Sequence, residues 1–448
     1  MELGVSATLD PGSPSTAPQR LLRWLRRLRY GIVVVLVLLI AAHAWYDRHL
    51  VAQVEKELGA LALSGAPVTL SELKPEPLPP ERNALTAYRE AVALLSELPT
   101  EPTDNPVLDY FSAPYAKTRA ALAALTPERR GALSGALDVV APILDKACEA
   151  DQRPDFQLAY SYALDDPESL LGDDLSALGA VARFLAAQAY WDSLCGRPEE
   201  AAAWVTAGLR LSNRLTEEPL LITGLIRASM ARMAMRAGQE VFERGGIPAQ
   251  AHDALHSELA QLTDRGAVAR FLATEQAFAL EHMAAYWGFR SGIRAYVARP
   301  WLNRNRLATL RFYREIMAAV EVPDPDARAA AYEAAFAWAE DAPILVSRIT
   351  PNIFRALAGF EQAIAEAQLL ALGLDLQRFK AAQGGYPETL TALALPAVAL
   401  AGEDVHNGVR IAYRRDSDGF MMEAFPAHRA GSMGHSGHPE SIVWRVAR

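Results

Sequence analysis

The chain has 448 residues, of which 51% are hydrophobic, 22% charged and 8% aromatic, with 28 Gly, 28 Pro and 2 Cys. That length leaves room for two or three folded units, and the composition excludes wholesale disorder, a collagen-like repeat and a disulfide-stapled scaffold. The 44 basic and 53 acidic residues give a net charge of −9, which repels nucleic acid and removes it from the expected partners.

Residues 1–29 read as a disordered basic tail, rich in Gly, Ser, Thr and Pro at its start. The tail closes on RLLRWLRRLR, five arginines in ten residues that include Arg23, Arg26, Arg27 and Arg29. Residues 30–46 follow with no formal charge. Seventeen helical residues at 1.5 Å each span about 25 Å, the short end of what a bilayer core requires. Tyr30 at one end and Trp45 with Tyr46 at the other are placed as interface anchors. A buried core helix rarely follows so cationic a turn.

The arginines precede the apolar run, while Asp47, Arg48 and His49 nearly cancel after it. The positive-inside bias therefore keeps residues 1–29 in the cytoplasm and sends the body across, into the periplasm of a bacterial inner membrane. The partner this implies is the lipid bilayer. Ala42-His43-Ala44 also has the small-x-small form of a signal-peptidase site. The late charged region and bulky Trp45 and Tyr46 favour an uncleaved anchor, and either outcome exports the body. Prepilin processing is not expected, because Ile32 follows Gly31 and Val35 stands where a Glu is needed.

Residues 47–82 are expected to hold a helix over 47–63 and a proline-rich spacer over 67–80. The unit 83–350 is expected to be an α-helical ectodomain, opening with a helix over 83–98 and a proline-bearing loop over 99–115. Further helices are expected over 170–195, 198–215, 219–244 and 248–262, with Pro198, Pro219 and Pro248 at their starts and Gly245-Gly246 as a stop. The short connections make antiparallel hairpins. The turn LCGRPEEA, residues 194–201, resembles the helix–turn–helix of tetratricopeptide repeats. No second copy recurs near a 34-residue period, so a helical bundle or a solenoid-like array both stay open. The last unit, 351–448, is a long helix over 352–383 capped by Gly384-Gly385. A three-stranded antiparallel meander over 409–415, 420–425 and 441–447 completes it. The fold class is mainly α with a small α+β tail.

That tail is similar to the globular part of type II secretion pseudopilins and to the tails of uncharacterised bacterial single-pass membrane proteins. The residues that carry the resemblance are Arg378-Phe379, Gly385-Tyr386-Pro387 with Leu390 and Leu393, Tyr413 before Asp418-Gly419, and Ile442-Val443-Trp444. The match covers about 80 residues and implies a helix packed on a meander. Two departures stand out. In pseudopilins the long helix continues from the membrane segment, whereas here a helical block intervenes. The loop that offers acidic oxygens to calcium there retains only Glu440 here.

No catalytic signature and no cofactor motif emerges. His428, His435 and His438 are the candidate metal ligands, without the Cys or acidic partners that close a tetrahedral site, and a polar loop is the simpler reading. HDALH, residues 252–256, lacks the Glu that zincin chemistry needs and reads as a solvated helix face. GHSGH, residues 434–438, lacks the second Gly of a nucleophile elbow. Glu275, Glu281 and His282 lie among aromatics that read as core. Residues 290–314 alternate arginines with aromatics, and Arg304, Arg306, Arg311 and Arg314 are candidate contacts for an anionic lipid or polymer unless acidic helices pair them. Cys148 and Cys195 have the option of a bridge in an oxidising compartment. The expected role is non-enzymatic: a membrane-anchored envelope protein that binds or scaffolds other envelope proteins, including a secretion or pilus-like accessory. A membrane-anchored hydrolase or metal-dependent enzyme is the alternative.

Overall fold

A computed structural model describes residues 17–73, 75–95, 126–158, 173–218, 220–286, 292–393, 405–406, 408–417, 419–427 and 441–446. Its first element is set by the uninterrupted apolar and arginine-rich run. Helix α1, Ala17–Leu63, is continuous through the arginine turn, the apolar stretch and the polar segment beyond. The expected tail over 1–29 is thus corrected for residues 17–29, which belong to the helix. Arg and Leu are good helix formers, and the helix has no paired Gly and no Pro beyond Pro18 in its first turn.

Local signals place most of the later helices. α2, Ala84–Leu95, follows the spacer, which is less extended than expected: Leu70–Leu73 form a 3-10 turn, Leu70 is buried and its N–H donates to Glu281 Oε2 at 3.0 Å. α3, Pro127–Asp151, starts on a Thr126 cap with Pro in its first turn. α4, Asp173–Leu194, and α5, Pro198–Arg214, form the hairpin expected at Gly196. Ala201 and Ala202 at its inner wall are fully buried. α6, Leu221–Gly245, packs on both. α7, Ala249–Leu262, and α8, Arg265–Tyr286, follow after short turns. α9, Ile293–Val320, and α10, Pro325–Glu340, precede the long α11, Ile344–Gln383.

The expected boundary at 350/351 is corrected. α11 runs through Pro351. Pro351 lies on an exposed face, so water can satisfy the carbonyl that loses its helical donor. The helix is also not a separate unit, because it packs on α6, α7, α9 and α10 as well as on the sheet. One hydrophobic core joins Ala186 to Val446 across all of these elements. A second core gathers α2, α3 and α4 with part of α5 and α6.

The antiparallel meander is present. β2, Val409–Arg415, pairs with β3, Phe420–Phe425, and β3 with β4, Ile442–Val446. A two-residue strand, β1, Val405–His406, pairs along the outer edge of β2. Inward residues alternate, with Val409, Ile411, Phe420, Met422, Ala424, Trp444 and Val446 buried. Trp444 packs edge-on against Phe242 at 5.0 Å and donates its indole N–H to Glu243 Oε1 at 3.0 Å. A Cβ on Gly373 of α11 would lie 2.4 Å from the Trp444 ring, so glycine is what lets the sheet approach the helix.

A buried ion cluster closes the same region. Glu361 of α11 accepts from Arg265 at 2.6 Å and 3.1 Å and from the Tyr332 hydroxyl at 3.2 Å, and Arg328 Nε lies 3.1 Å from it. Arg328, wholly buried, donates onward to the carbonyls of Val322 at 2.7 Å, Pro323 and Gly408. Gly408 adopts φ +74°, and a Cβ there would meet the Pro323 carbonyl oxygen at 2.9 Å. Burial alone would push the Glu361 carboxyl up, but Arg265 and Arg328 outweigh it and hold it below the ordinary 4.5.

Two outcomes are expected. Replacing Glu361→Ala leaves Arg328 buried without its counter-charge and costs about 3–5 kcal/mol in chemical denaturation. Because the folded carboxyl titrates below its unfolded value, its stabilisation is present above about pH 4.5 and is lost as pH falls through the folded pKa. The variant's acid slope is therefore flatter than the parent's. Gly373→Ala displaces Trp444 and costs about 1–3 kcal/mol, with a change in tryptophan emission.

Candidate functional site

The region with the most unusual surroundings is the seam where α1 meets the body. From Ile32 to Ile40 every large apolar residue of α1 is exposed by half or more, and none of this stretch is buried inside the protein. This makes α1 a candidate membrane anchor by length and composition. Arg26, Arg27, Arg29, Tyr30, Trp45 and Tyr46 are all on the exposed surface of the helix, and the Arg23 backbone is helical beside them.

One turn past the apolar run, the same helix becomes a packed strut. Leu50 and Val54, four residues apart, bury themselves against Leu280 of α8 and Leu307 and Leu310 of α9, with Leu58 and Leu61 beside them. Each fully buried Leu or Val contributes about 1.5–3 kcal/mol, before chain entropy is set against it. Polar contacts run along the same seam. Asn303 donates to Asp47 at 2.9 Å, Arg311 to Gln53 at 3.1 Å, and Arg314 to Glu57.

The four arginines singled out by sequence therefore separate. Arg311 and Arg314 both pair with Glu57 of α1, and Arg314 also pairs with Glu315 of its own helix. Arg304 is exposed, whereas Arg306 is half-buried and its Nε has no hydrogen-bond partner among the described residues. Burial pulls the Arg306 guanidinium down from its ordinary value. The pairing partner for Arg311 and Arg314 was not legible, because it comes from a helix more than 250 residues earlier.

A cavity of about 660 Å³ lies at the far end of this seam, between the end of α1, α8 and α9. Its walls include Ala60, Leu61, Pro67, Ala273 and Met317, with Glu57, Arg270, Arg314 and Glu321 also lining it. Gln276 at its wall is 1% exposed; its amide N–H reaches the Leu310 carbonyl at 3.4 Å, and its Oε1 has no partner among the described residues. Neighbouring Glu275 is pushed up to about 7 by burial. Burial, and after it the Glu275 charge, raises the phenol of Tyr313.

A second cavity of about 700 Å³, between α3, α5 and α7, is lined by Cys148, Asp151, Glu199, Glu200, Trp204 and Arg210 among others. Burial raises Asp151, against the pull of Arg210, which pairs with both Asp151 and Glu258. Burial also raises the Cys148 thiol, which makes it a poor nucleophile. Cys148 and Cys195 are both free.

The remaining candidates resolve as follows. His428, His435 and His438 lie outside the described residues, and no cluster of three metal-ligating side chains occurs among those described. HDALH is not a solvated face. His252 is buried and donates from Nε2 to the Ile247 carbonyl at 3.0 Å, and His256 sits 3.1 Å from Asp375 of α11. The helix turns that face inward because α5 and α11 flank it. Phe271 is core, as expected, and His282 stacks on Phe278 at 5.6 Å. No protein-family model, curated protein or solved structure matches the chain at a significant level.

The raised Glu275 has a measurable consequence. Its folded pKa of about 7 exceeds the ordinary 4.5, so the folded state binds the proton more tightly and loses stability as pH rises through that window. Glu275→Gln is expected to stabilise the protein by on the order of 1–3 kcal/mol above pH 7, with the gain vanishing below about pH 4.5, in denaturation curves taken across pH.

Proposed function

We propose that the chain is a single-pass inner-membrane protein. Residues 30–46 of α1 cross the bilayer, the arginine turn stays in the cytoplasm, and the body lies in the periplasm. There it acts without catalysing a reaction, as a binding or scaffolding unit for other envelope proteins. The observation that carries the reading is the double character of α1: unburied and apolar over one stretch, packed and salt-bridged over the next. An anchor joined to its load by one unbroken helix holds the body at a fixed height over the membrane.

Two features support a binding role. The α4–α5 hairpin buries Ala201 and Ala202 at its wall, which supports reading its turn as similar to that of tetratricopeptide-like interaction modules. The pseudopilin-like order of long helix, Tyr-Pro turn and meander fits an accessory of a secretion or pilus-like assembly. Helices cover α11 on several sides, so such an accessory would dock through the body's surface instead of stacking this helix into a filament. The enzyme alternative draws on Asp151, one oxygen of which lacks a hydrogen-bond partner in its cavity. It ranks second because Arg210 already engages the other oxygen.

The test fuses an export-dependent reporter to the carboxyl end of the full chain. Activity is expected with the intact helix and lost when residues 30–46 are removed. Crosslinking in intact membranes is expected to capture specific envelope proteins. A reporter active only in the cytosol overturns the topology.

A further inference from the structure

We infer that the first turns of α9 form a second membrane contact. Ile293, Val297 and Trp301 enter the leaflet beside the anchor, and Arg294, Arg299 and Arg304 meet anionic lipid headgroups. The inference rests on the single-pass reading and deepens it, by giving the body its own hold on the bilayer surface.

The first argument is register. α9 runs alongside α1 in the same direction, because successive contacts climb both helices together. The His43 and Tyr296 rings lie 4.7 Å apart, and His43 Nε2 donates to the Val297 carbonyl at 3.3 Å. Asn303 then meets Asp47, and Arg311 meets Gln53. Val297 is therefore level with His43, three residues inside the end of the apolar run marked by Tyr46. Ile293 lies one turn deeper, about 6 Å further along a 1.5 Å rise per residue, level with the apolar residues near Leu39 and Ile40. If α1 crosses the bilayer there, the start of α9 is at membrane depth beside it.

The second argument is surface chemistry. Ile293 is 84% exposed, Val297 61% and Trp301 36%, and their four-residue spacing puts them along one side of the helix. A run of large apolar residues left in water is unusual for a soluble surface. The third is charge. From residue 290 to 314 the chain has no Asp or Glu. Arg294, Arg299 and Arg304 are exposed, and none forms an ion pair among the described residues. Further along the same helix, Arg311 and Arg314 share Glu57, and Arg314 also pairs with Glu315. Among the described residues, the exposed arginines without an ion pair thus lie on the first turns of α9, with Arg304 level with the polar residues just beyond Tyr46. Their aliphatic stems can lie along the apolar boundary while the guanidinium groups reach phosphates, an arrangement that favours anionic lipid.

The test uses the full chain in vesicles of phosphatidylglycerol and phosphatidylethanolamine, with Cys148→Ser and Cys195→Ser. An environment-sensitive fluorophore is attached at Val297→Cys, at Ile40→Cys as the anchor control, and at Leu63→Cys as the aqueous control. Spin-labelled acyl chains are expected to quench the labels at 297 and 40 to a comparable extent and to leave the label at 63 bright. Adding R294Q, R299Q and R304Q is expected to weaken quenching at 297 and not at 40. In zwitterionic vesicles quenching at 297 is likewise expected to fall. Quenching at 40 with none at 297 overturns this inference and leaves the anchor standing. So does a label at 297 shielded from iodide yet untouched by lipid quenchers, since a protein segment would then cover it. No quenching at either position removes the anchor and this inference with it.

Discussion

A carboxylate almost sealed from water holds the carboxyl-terminal half of this molecule in one arrangement. Glu361 sits between the guanidinium groups of Arg265 and Arg328, and Arg328 in turn satisfies carbonyls from the α9–α10 turn and from the tight turn of the sheet. Removing charges from water costs several kcal/mol each, repaid only when every donor and acceptor finds its place. The cluster therefore selects geometry: α8, α10, α11 and the β1–β2 turn can satisfy it together in few ways. Trp444 against Gly373 fixes the other end of the sheet by shape instead of charge.

With the sheet and α11 so fixed, α8 and α9 present a rigid wall to which α1 attaches. Leu50 and Val54 supply apolar burial, and Asp47, Gln53 and Glu57 fix the sliding register by pairing with Asn303, Arg311 and Arg314. A surface pair of this kind contributes little stability alone. A series of them along one seam sets which turn of α9 stands beside which turn of α1. The height of the body over the apolar span follows from that register.

Much of this was legible residue by residue. Pro198 and Gly384 mark helix ends through a fixed φ and a left-handed cap, and these are local effects. The alternation from Val409 to Phe425 marks the hairpin for the same reason. Pro351 misled, because a proline is a helix breaker in isolation, and whether its orphaned carbonyl meets water depends on which face the fold leaves open. His252 and His256 misled similarly: their spacing defines a helix face, while its exposure depends on α5 and α11.

Composition and order along the chain alone determined that there is one long apolar helix, a helical body and a small antiparallel sheet, since hydrophobic period and backbone preference act over a few residues. Only the tertiary structure decided that α11 belongs to the main core, that Arg311 and Arg314 answer to Glu57, and that the start of α9 lies beside the apolar run. Those outcomes depend on pairings between residues hundreds of positions apart. Desolvation and Coulomb energy are settled there by what stands opposite, which no local pattern encodes.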